Sequence, residues 1–338
     1  AKVFEEEGKG PLHTFSVDYA GNEEYFRPNE FQPNSDAPWV RRMAEHLGSV
    51  HHTVIIDTEE LASALIPAMR ARDLPGMTDV DSSLYLFSRE IKKEVTVILS
   101  GECADEVFGG YPWFHREELI RAETFPWSRL IRDRIRFFSP EVVSRIRAEE
   151  YVADRYREAL EEVPRLPGET PREARMRELF YLCLTRWMPV LLDRKDRMSM
   201  AFGLEVRVPF CDHRLVEYVW NVPWSMKSCD GREKGLLRRA VSDLLPEDVR
   251  MRRKSPFPKT HNPAYLEAVR SEALRRIEDP ASPLRDILHV EEIRRFADRR
   301  DLGELHLPWF GQLMNVPQLF AYFIQLDAWM REYGVVIR

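Results

Sequence analysis

Thr96-Val-Ile-Leu-Ser-Gly-Glu-Cys-Ala-Asp-Glu-Val-Phe-Gly-Gly-Tyr-Pro-Trp-Phe114 is the stretch on which the reading of this chain turns. Val95 to Leu99 is a short β-branched and aliphatic run, the pattern of a strand covered on both faces of a parallel sheet. It stops at Ser100-Gly101. Glu102, Asp105 and Glu106 then crowd into a bend at the carboxyl end of that strand, where open α/β sheets place their ligands. The same residues could also form a solvated glycine-rich turn.

Upstream, the pattern alternates. Ala1 to Glu7 reads as the last turns of a helix closed by Gly8. His13 to Tyr19 reads as a strand, Gly21 to Pro33 as a loop, and Asp36 as the cap of a helix carrying Val40, Met43, Ala44 and Leu47 up to Gly48. His52 to Asp57 reads as a second strand, and Thr58 opens a helix with Leu61, Leu65 and Met69. A loop from Asp73 to Ser83 leads into a helix carrying Leu84, Phe87 and Ile91. This order is that of a parallel α/β sheet with right-handed crossovers. Asp79 reads as a helix cap. For Asp81 and Ser82, capping and contact with a charged substrate stand side by side. His51 and His52 are neighbours on a strand and point to opposite faces, so they read as structural.

Beyond Glu117 the pattern turns helical. Helices are expected over Val142 to Glu162, Pro171 to Met200, Lys234 to Leu245, Pro263 to Ile277, Val290 to Arg299 and Leu313 to Tyr333, with Pro164 to Pro171 as a linker. Met176, Phe180, Cys183, Trp187 and Leu191 form a stripe read as core, and Pro189 should kink their helix. Two parts follow, 1–116 and 117–338. Arg250, Arg252, Arg253, Lys254 and Lys259 read as a solvated basic face. Arg194, Lys195 and Arg197 could complement a helix dipole.

The 338 residues are 44% hydrophobic, enough for an ordinary core. A net charge of -6 and a pI near 5.9 argue against a dedicated nucleic-acid binder. No apolar run is long enough to cross a bilayer and no signal segment opens the chain, which points to the cytoplasm. Cys103, Cys183, Cys211 and Cys229 form no Cys-x-x-Cys pair and read as free thiols.

Ser100-Gly-Glu-x-Ala-Asp-Glu-x-x-x-Gly-Tyr111 resembles a signature of the asparagine synthetase family, ATP-dependent amidotransferases of the ATP-pyrophosphatase (PP-loop) class. Asp193 to Asp212, with its Arg-x-Pro-Phe-x-Asp string, and Gly231-Arg-Glu-Lys234-Gly-Leu-Leu-Arg-Arg-Ala240 resemble two further blocks of that family. The resemblance implies a sheet of adenine-nucleotide α-hydrolase type with a large, mostly helical C-terminal region. It also implies amidation of aspartate through β-aspartyl-AMP, with release of pyrophosphate and AMP. ATP and Mg²⁺ would be required, with ammonia drawn from glutamine by a separate glutaminase domain; neither nucleic acid nor membrane is an expected partner, and a homodimer is compatible.

Carried onto this sequence, the family's pattern makes Glu102, Asp105 and Lys234 catalytic. Glu102 would position ammonia and accept its proton, Asp105 would orient substrate or the metal with its pyrophosphate, and Lys234 would meet the phosphates. Val17, Ser100 and Gly101 would join Lys234 in binding ATP, and Asp81, Ser82 and Arg207 would bind substrate. No metal-ligating set is assigned. The sequence departs from the pattern at Cys103, where the family usually has glycine. It also contains no Ser-Gly-Gly-x-Asp-Ser loop, so the expectation is a piece of a synthetase with impaired activity on its own. A β-lactam-synthetase-like adenylating enzyme and a non-catalytic binding remnant are the alternatives.

Overall fold

In the computed structural model, residues 1–28, 32–305 and 314–337 are described. The first half is built from parallel strands and the helices between them. β1 (His13–Tyr19) pairs with β2 (Val50–Ile56) in parallel, Val17 opposite Val54, and α1 (Ala37–Leu47) connects them. Gly48 closes α1 at φ 55, a left-handed conformation that suits glycine because it carries no Cβ. Asp57 caps α2 (Thr58–Ser63), its Oδ1 accepting from the Glu60 amide at 2.7 Å. α3 (Leu65–Arg72) and α4 (Asp79–Lys92) follow and lead to β3 (Val97–Leu99).

At β3 the expected single sheet divides. β3 pairs with β4 (Glu205–Arg207), Leu99 opposite Arg207, so the described strands form two parallel pairs. β4 lies in the region read as mostly helical. At three residues it is too short for alternation to reveal. The doubly covered strand is also corrected: Val97 is 41% and Leu99 73% exposed, since β3 has a single partner strand among the described residues.

The helical part follows the sequence pattern with breaks. A short helix, Asn22–Tyr25, occupies part of the expected loop; residues 29–31 of that loop and Leu313 of the last predicted helix lie outside the described residues. Arg147, at φ 45, divides the pattern from Val142 to Glu162 into helices Pro140–Ile146 and Ala148–Glu161. α5 (Ala104–Phe108) carries the acid bend forward from β3. Between α6 (Pro171–Leu182) and α7 (Met188–Met200), Cys183–Trp187 winds as a π-helix. Pro189 has no amide hydrogen for the carbonyl four residues back, and the widened turn just before it accommodates that loss.

α8 (Gly235–Ala240), α9 (Pro263–Glu278) and α10 (Val316–Tyr333) complete the elements used below. α9 and α10 pack along each other, α9 against α2 and α10 against α3. Val17, Tyr19, Ile56 and Leu61 meet Tyr265, Val269, Phe320 and Phe323 there in one buried cluster. Each such side chain contributes about 1.5–3 kcal/mol by leaving water. A second cluster joins Trp113 and Phe114 to Met176, Leu179, Phe180 and Cys183. It anchors the far end of the acid bend against α6. No helix among the described residues is long and apolar enough to cross a membrane.

Candidate active site

The acid bend leaves β3 at Ser100, whose amide donates to the Arg207 carbonyl at 2.9 Å. Cys103 then takes φ 74, turning the chain sharply into α5. A cavity of about 460 Å³ opens over this bend, lined by Ser100, Gly101, Glu102, Cys103, Asp105 and Glu106. Its other walls come from distant segments: Tyr111 and Trp113, Trp127, Trp187 and Leu191, Arg194 and Lys195, and Lys254 to Phe257.

Glu102 faces two cations on α7. Its Oε1 accepts from Arg194 Nη2 at 3.0 Å, and its Oε2 lies 3.0 Å from Lys195 Nζ. That second oxygen is buried without an aligned hydrogen-bond donor. A buried acceptor in that condition marks a place where a ligand's N–H can bind.

Asp105 is held by another pair. Lys234 Nζ donates to Oδ1 and Lys254 Nζ to Oδ2, both at 2.6 Å. Burial alone would raise this carboxyl's pKa, but Lys254 and Lys234 outweigh it and hold it down at about 2. Gly110 makes room, because a Cβ there would come within 1.7 Å of Asp105 Oδ1. Four cations thus surround two carboxylates, and the excess positive charge suits a polyanion.

Glu106 is the third acid of the bend and is almost fully buried. Burial pushes its pKa up to about 7, against the hydrogen bond it accepts from Tyr111 Oη at 2.5 Å. Trp187 Nε1 donates to the same Tyr111 oxygen at 3.1 Å. Tyr111 stacks on Trp113 with ring centroids 4.2 Å apart, and Lys254 Nζ stands 5.1 Å from the Tyr111 centroid. The cavity therefore has an aromatic floor beneath its cations.

Glu102, Asp105, Ser100 and Gly101 come together at the cavity, and Lys234 reaches it through Asp105. Gly101 leaves open space where a Cβ would stand. Four other expected residues lie elsewhere. Val17 sits two residues short of the end of β1, in the core. Asp81 is buried, accepting from the Met77 amide at 2.8 Å and from Arg72 at 3.1 Å. Ser82 is buried and donates to the Thr78 carbonyl at 3.1 Å. Arg207 is exposed and pairs with Glu205 at 2.7 Å, the structural pairing that its sequence equally allowed.

The readings as caps give way too. Thr78 precedes α4, and Asp79 accepts from Gln318 at 2.8 Å and from Thr78 Oγ1 at 3.2 Å. Asp36 makes no cap bond and pairs with Arg252 at 2.5 Å. His51 bonds the hydroxyls of Thr14 and Ser16, and His52 stacks on Phe15.

The solvated basic face is overturned by Lys254 on Asp105, Arg252 on Asp36 and Lys259 near Asp79. A cluster of like charge reads as surface only until its partners, far away in sequence, are known. Trp187 and Leu191 belong to the stripe read as core, yet they line the cavity. Arg194 and Lys195, read first as dipole partners, close on Glu102.

Among the described residues no three acidic, histidine or cysteine side chains gather as a metal site, and both Asp105 oxygens hold lysines. A protein cage for Mg²⁺ does not fit these residues.

A family model described as asparagine synthase matches residues 1–331. A protein named asparagine synthetase [glutamine-hydrolyzing] 3, from Bacillus subtilis (strain 168), is 49% identical over 342 residues, covering 99% of this chain and 54% of that protein. Proteins named asparagine synthetase [glutamine-hydrolyzing] from Gallus gallus and Homo sapiens are each 30% identical, over 74% and 73% of this chain and 34% of their own lengths. The chain thus spans about half the length of the Bacillus relative and about a third of the other two.

Proposed function

The chain belongs to the asparagine synthase family, and from that premise we propose that its cavity adenylates and then amidates aspartate. An aspartate side-chain oxygen attacks the α-phosphorus of ATP. The new O–P bond replaces the bond to pyrophosphate, giving β-aspartyl-AMP. Ammonia then attacks the acyl carbon and the C–O bond to AMP breaks, leaving asparagine.

One observation carries this reading: Glu102 and Asp105, three residues apart on one bend, each meet a pair of cations across a single cavity. Lys234 and Lys254 supply charge for the phosphates as negative charge builds at the leaving oxygen. Glu102 Oε2, which lacks an aligned donor, accepts an N–H of the entering ammonia. Gly101 leaves open space beside Ser100, whose amide is held by Arg207, and the two would meet the nucleotide as the family's pattern implies. Since these residues form no cage for Mg²⁺, the ion would have to come held on the ATP phosphates, where it would supply Lewis-acid charge neutralisation beside Lys234 and Lys254.

The same reading makes the sheet one of adenine-nucleotide α-hydrolase type, with residues 1–116 the nucleotide part and 117–338 its helical complement. It assigns the reaction to the cytoplasm, with glutamine as the distal ammonia source and a homodimer as the assembly. Pyrophosphate release by the full-length gene product, with ATP, aspartate and ammonia, tests it. Release that depends on aspartate, with asparagine and AMP formed in equal amounts, is expected. Release without aspartate, or ring closure of an aspartate-like acid without ammonia, would replace it with another adenylating chemistry.

A further inference from the structure

A second cavity, of about 340 Å³, shares no lining residue with the first. It lies between α6 and the segment from Trp220 to Lys227, with Met176, Phe180, Trp220, Pro223 and Trp224 as apolar walls. Lys227, the last residue of the short helix Trp224–Lys227, lines it although its residue is only 2% exposed. Its Nζ stands 3.9 Å from the Phe180 ring centroid.

This ammonium makes no hydrogen bond or ion pair with any described residue. The charged groups around it are already engaged. Arg177, stacked on Trp220, pairs with Glu169 at 2.9 Å, and Glu173 accepts from the Thr170 amide at 2.9 Å in a capping box. An aromatic face gives a cation part of what it loses on leaving water, but no acceptor. An unanswered buried cation is costly. Burial, with Arg177 nearby, accordingly lowers the pKa of Lys227 to about 7.

We propose that this cavity binds a small monocarboxylic acid with a flat apolar body, its carboxylate on Lys227 Nζ and its body along the wall formed by Trp220, Pro223 and Trp224. One free cation matches one negative charge, and the apolar walls disfavour a compact polyanion such as phosphate. The cavity also adjoins the acid bend. Trp224 packs so closely on Gly109, the residue that ends α5, that a Cβ there would stand 2.5 Å from the indole. An occupant would therefore press on a wall shared with the segment carrying Asp105 and Glu106.

NMR titration of the unaltered protein with benzoate, benzamide and inorganic phosphate tests this. Benzoate should bind saturably and raise the titration midpoint of the Lys227 side-chain resonance. Benzamide should bind at least tenfold more weakly, and phosphate should not compete. In Lys227→Met, benzoate should fall to the level of benzamide, whose retained binding reports an intact pocket. Equal binding of benzoate and benzamide to the unaltered protein, a Lys227 resonance unmoved by benzoate, or displacement by equimolar phosphate would each overturn the proposal.

Discussion

Lys254 Nζ lies 2.6 Å from Asp105 Oδ2 although 149 residues separate the two in sequence. The contact ties the basic run Arg250 to Lys254 to the acid bend. Lys234 takes the other oxygen of the same carboxylate, so the pair of lysines carries one charge more than Asp105 neutralises. That surplus is the feature of the cavity best suited to a phosphate.

Lys254→Met should therefore lower the rate of aspartate-dependent pyrophosphate release by about 10²–10³, the loss typical of a preorganised charge at the reacting centre. Steady-state kinetics check it, and a change confined to KM would show that Lys254 serves binding alone. The variant should also change acid stability. The Asp105 pKa is depressed from 3.8 to about 2, so the stability it contributes is present above pH 3.8 and lost as pH falls toward 2. In Lys254→Met the folded-state pKa of Asp105 should rise, so the loss below pH 3.8 should be smaller and complete at higher pH, readable by urea unfolding between pH 2 and about 5.

Glu102 is expected to be essential for amidation, but the substitution has to respect Arg194. The Arg194 residue is only 5% exposed, and Glu102→Ala would leave it facing Lys195 with no carboxylate between them. Breaking a buried pair in this way costs about 3–5 kcal/mol. Glu102→Gln keeps an acceptor for Arg194. It should retain adenylation, seen as aspartate-dependent ATP–pyrophosphate exchange, while asparagine formation falls. Normal asparagine synthesis with ammonia in Glu102→Gln would remove Glu102 from that step.

Glu106 should make the protein less stable as pH rises. Its folded pKa of about 7 lies above the ordinary 4.5, so the native state holds the proton more tightly than the unfolded chain. Its contribution is full below pH 4.5 and is lost as pH rises to 7. Glu106→Gln keeps an acceptor for Tyr111 and removes the titration, so its stability relative to the unaltered protein should improve between pH 4.5 and 8 by on the order of 3 kcal/mol. A protonated-carboxyl infrared band that disappears near pH 7 would identify the group directly. A parallel pH dependence in the two proteins would count against it.

The parts of this architecture with strong local signals were legible in sequence. Gly48 and the apolar spacing of α1 and α4 mark those elements without tertiary help, whereas Asp57, read as the end of a strand, is the cap of α2. Glu102 and Asp105 were legible because the bend that presents them is continuous in sequence. Lys254, Arg194 and Trp187 were not, since each becomes part of the cavity only when segments 76 or more residues apart close on the bend. β4 is too short to show a period, and Leu99 carries an apolar signal that the described packing leaves uncovered. Cys103 is a different case. Its φ of 74 puts a Cβ in the left-handed region at a cost of about 1–2 kcal/mol, a backbone demand that the residue type does not announce.

Lys227 gives a last test, in which stability and binding oppose each other. Its pKa is lowered from 10.5 to about 7, so between those values the unfolded chain binds more protons than the native one, and stability rises with pH. The slope from this group should approach about 1.4 kcal/mol per pH unit. Lys227→Met fills the space over Phe180 without a charge, so it should be more stable than the unaltered protein at pH 7 and lose most of that advantage by pH 10. At one benzoate concentration the unaltered protein should be stabilised more than Lys227→Met, each by RT ln(1 + [L]/Kd) with its own Kd. If Lys227→Met is instead destabilised equally at both pH values, the lysine is held by packing rather than poised as an unanswered cation.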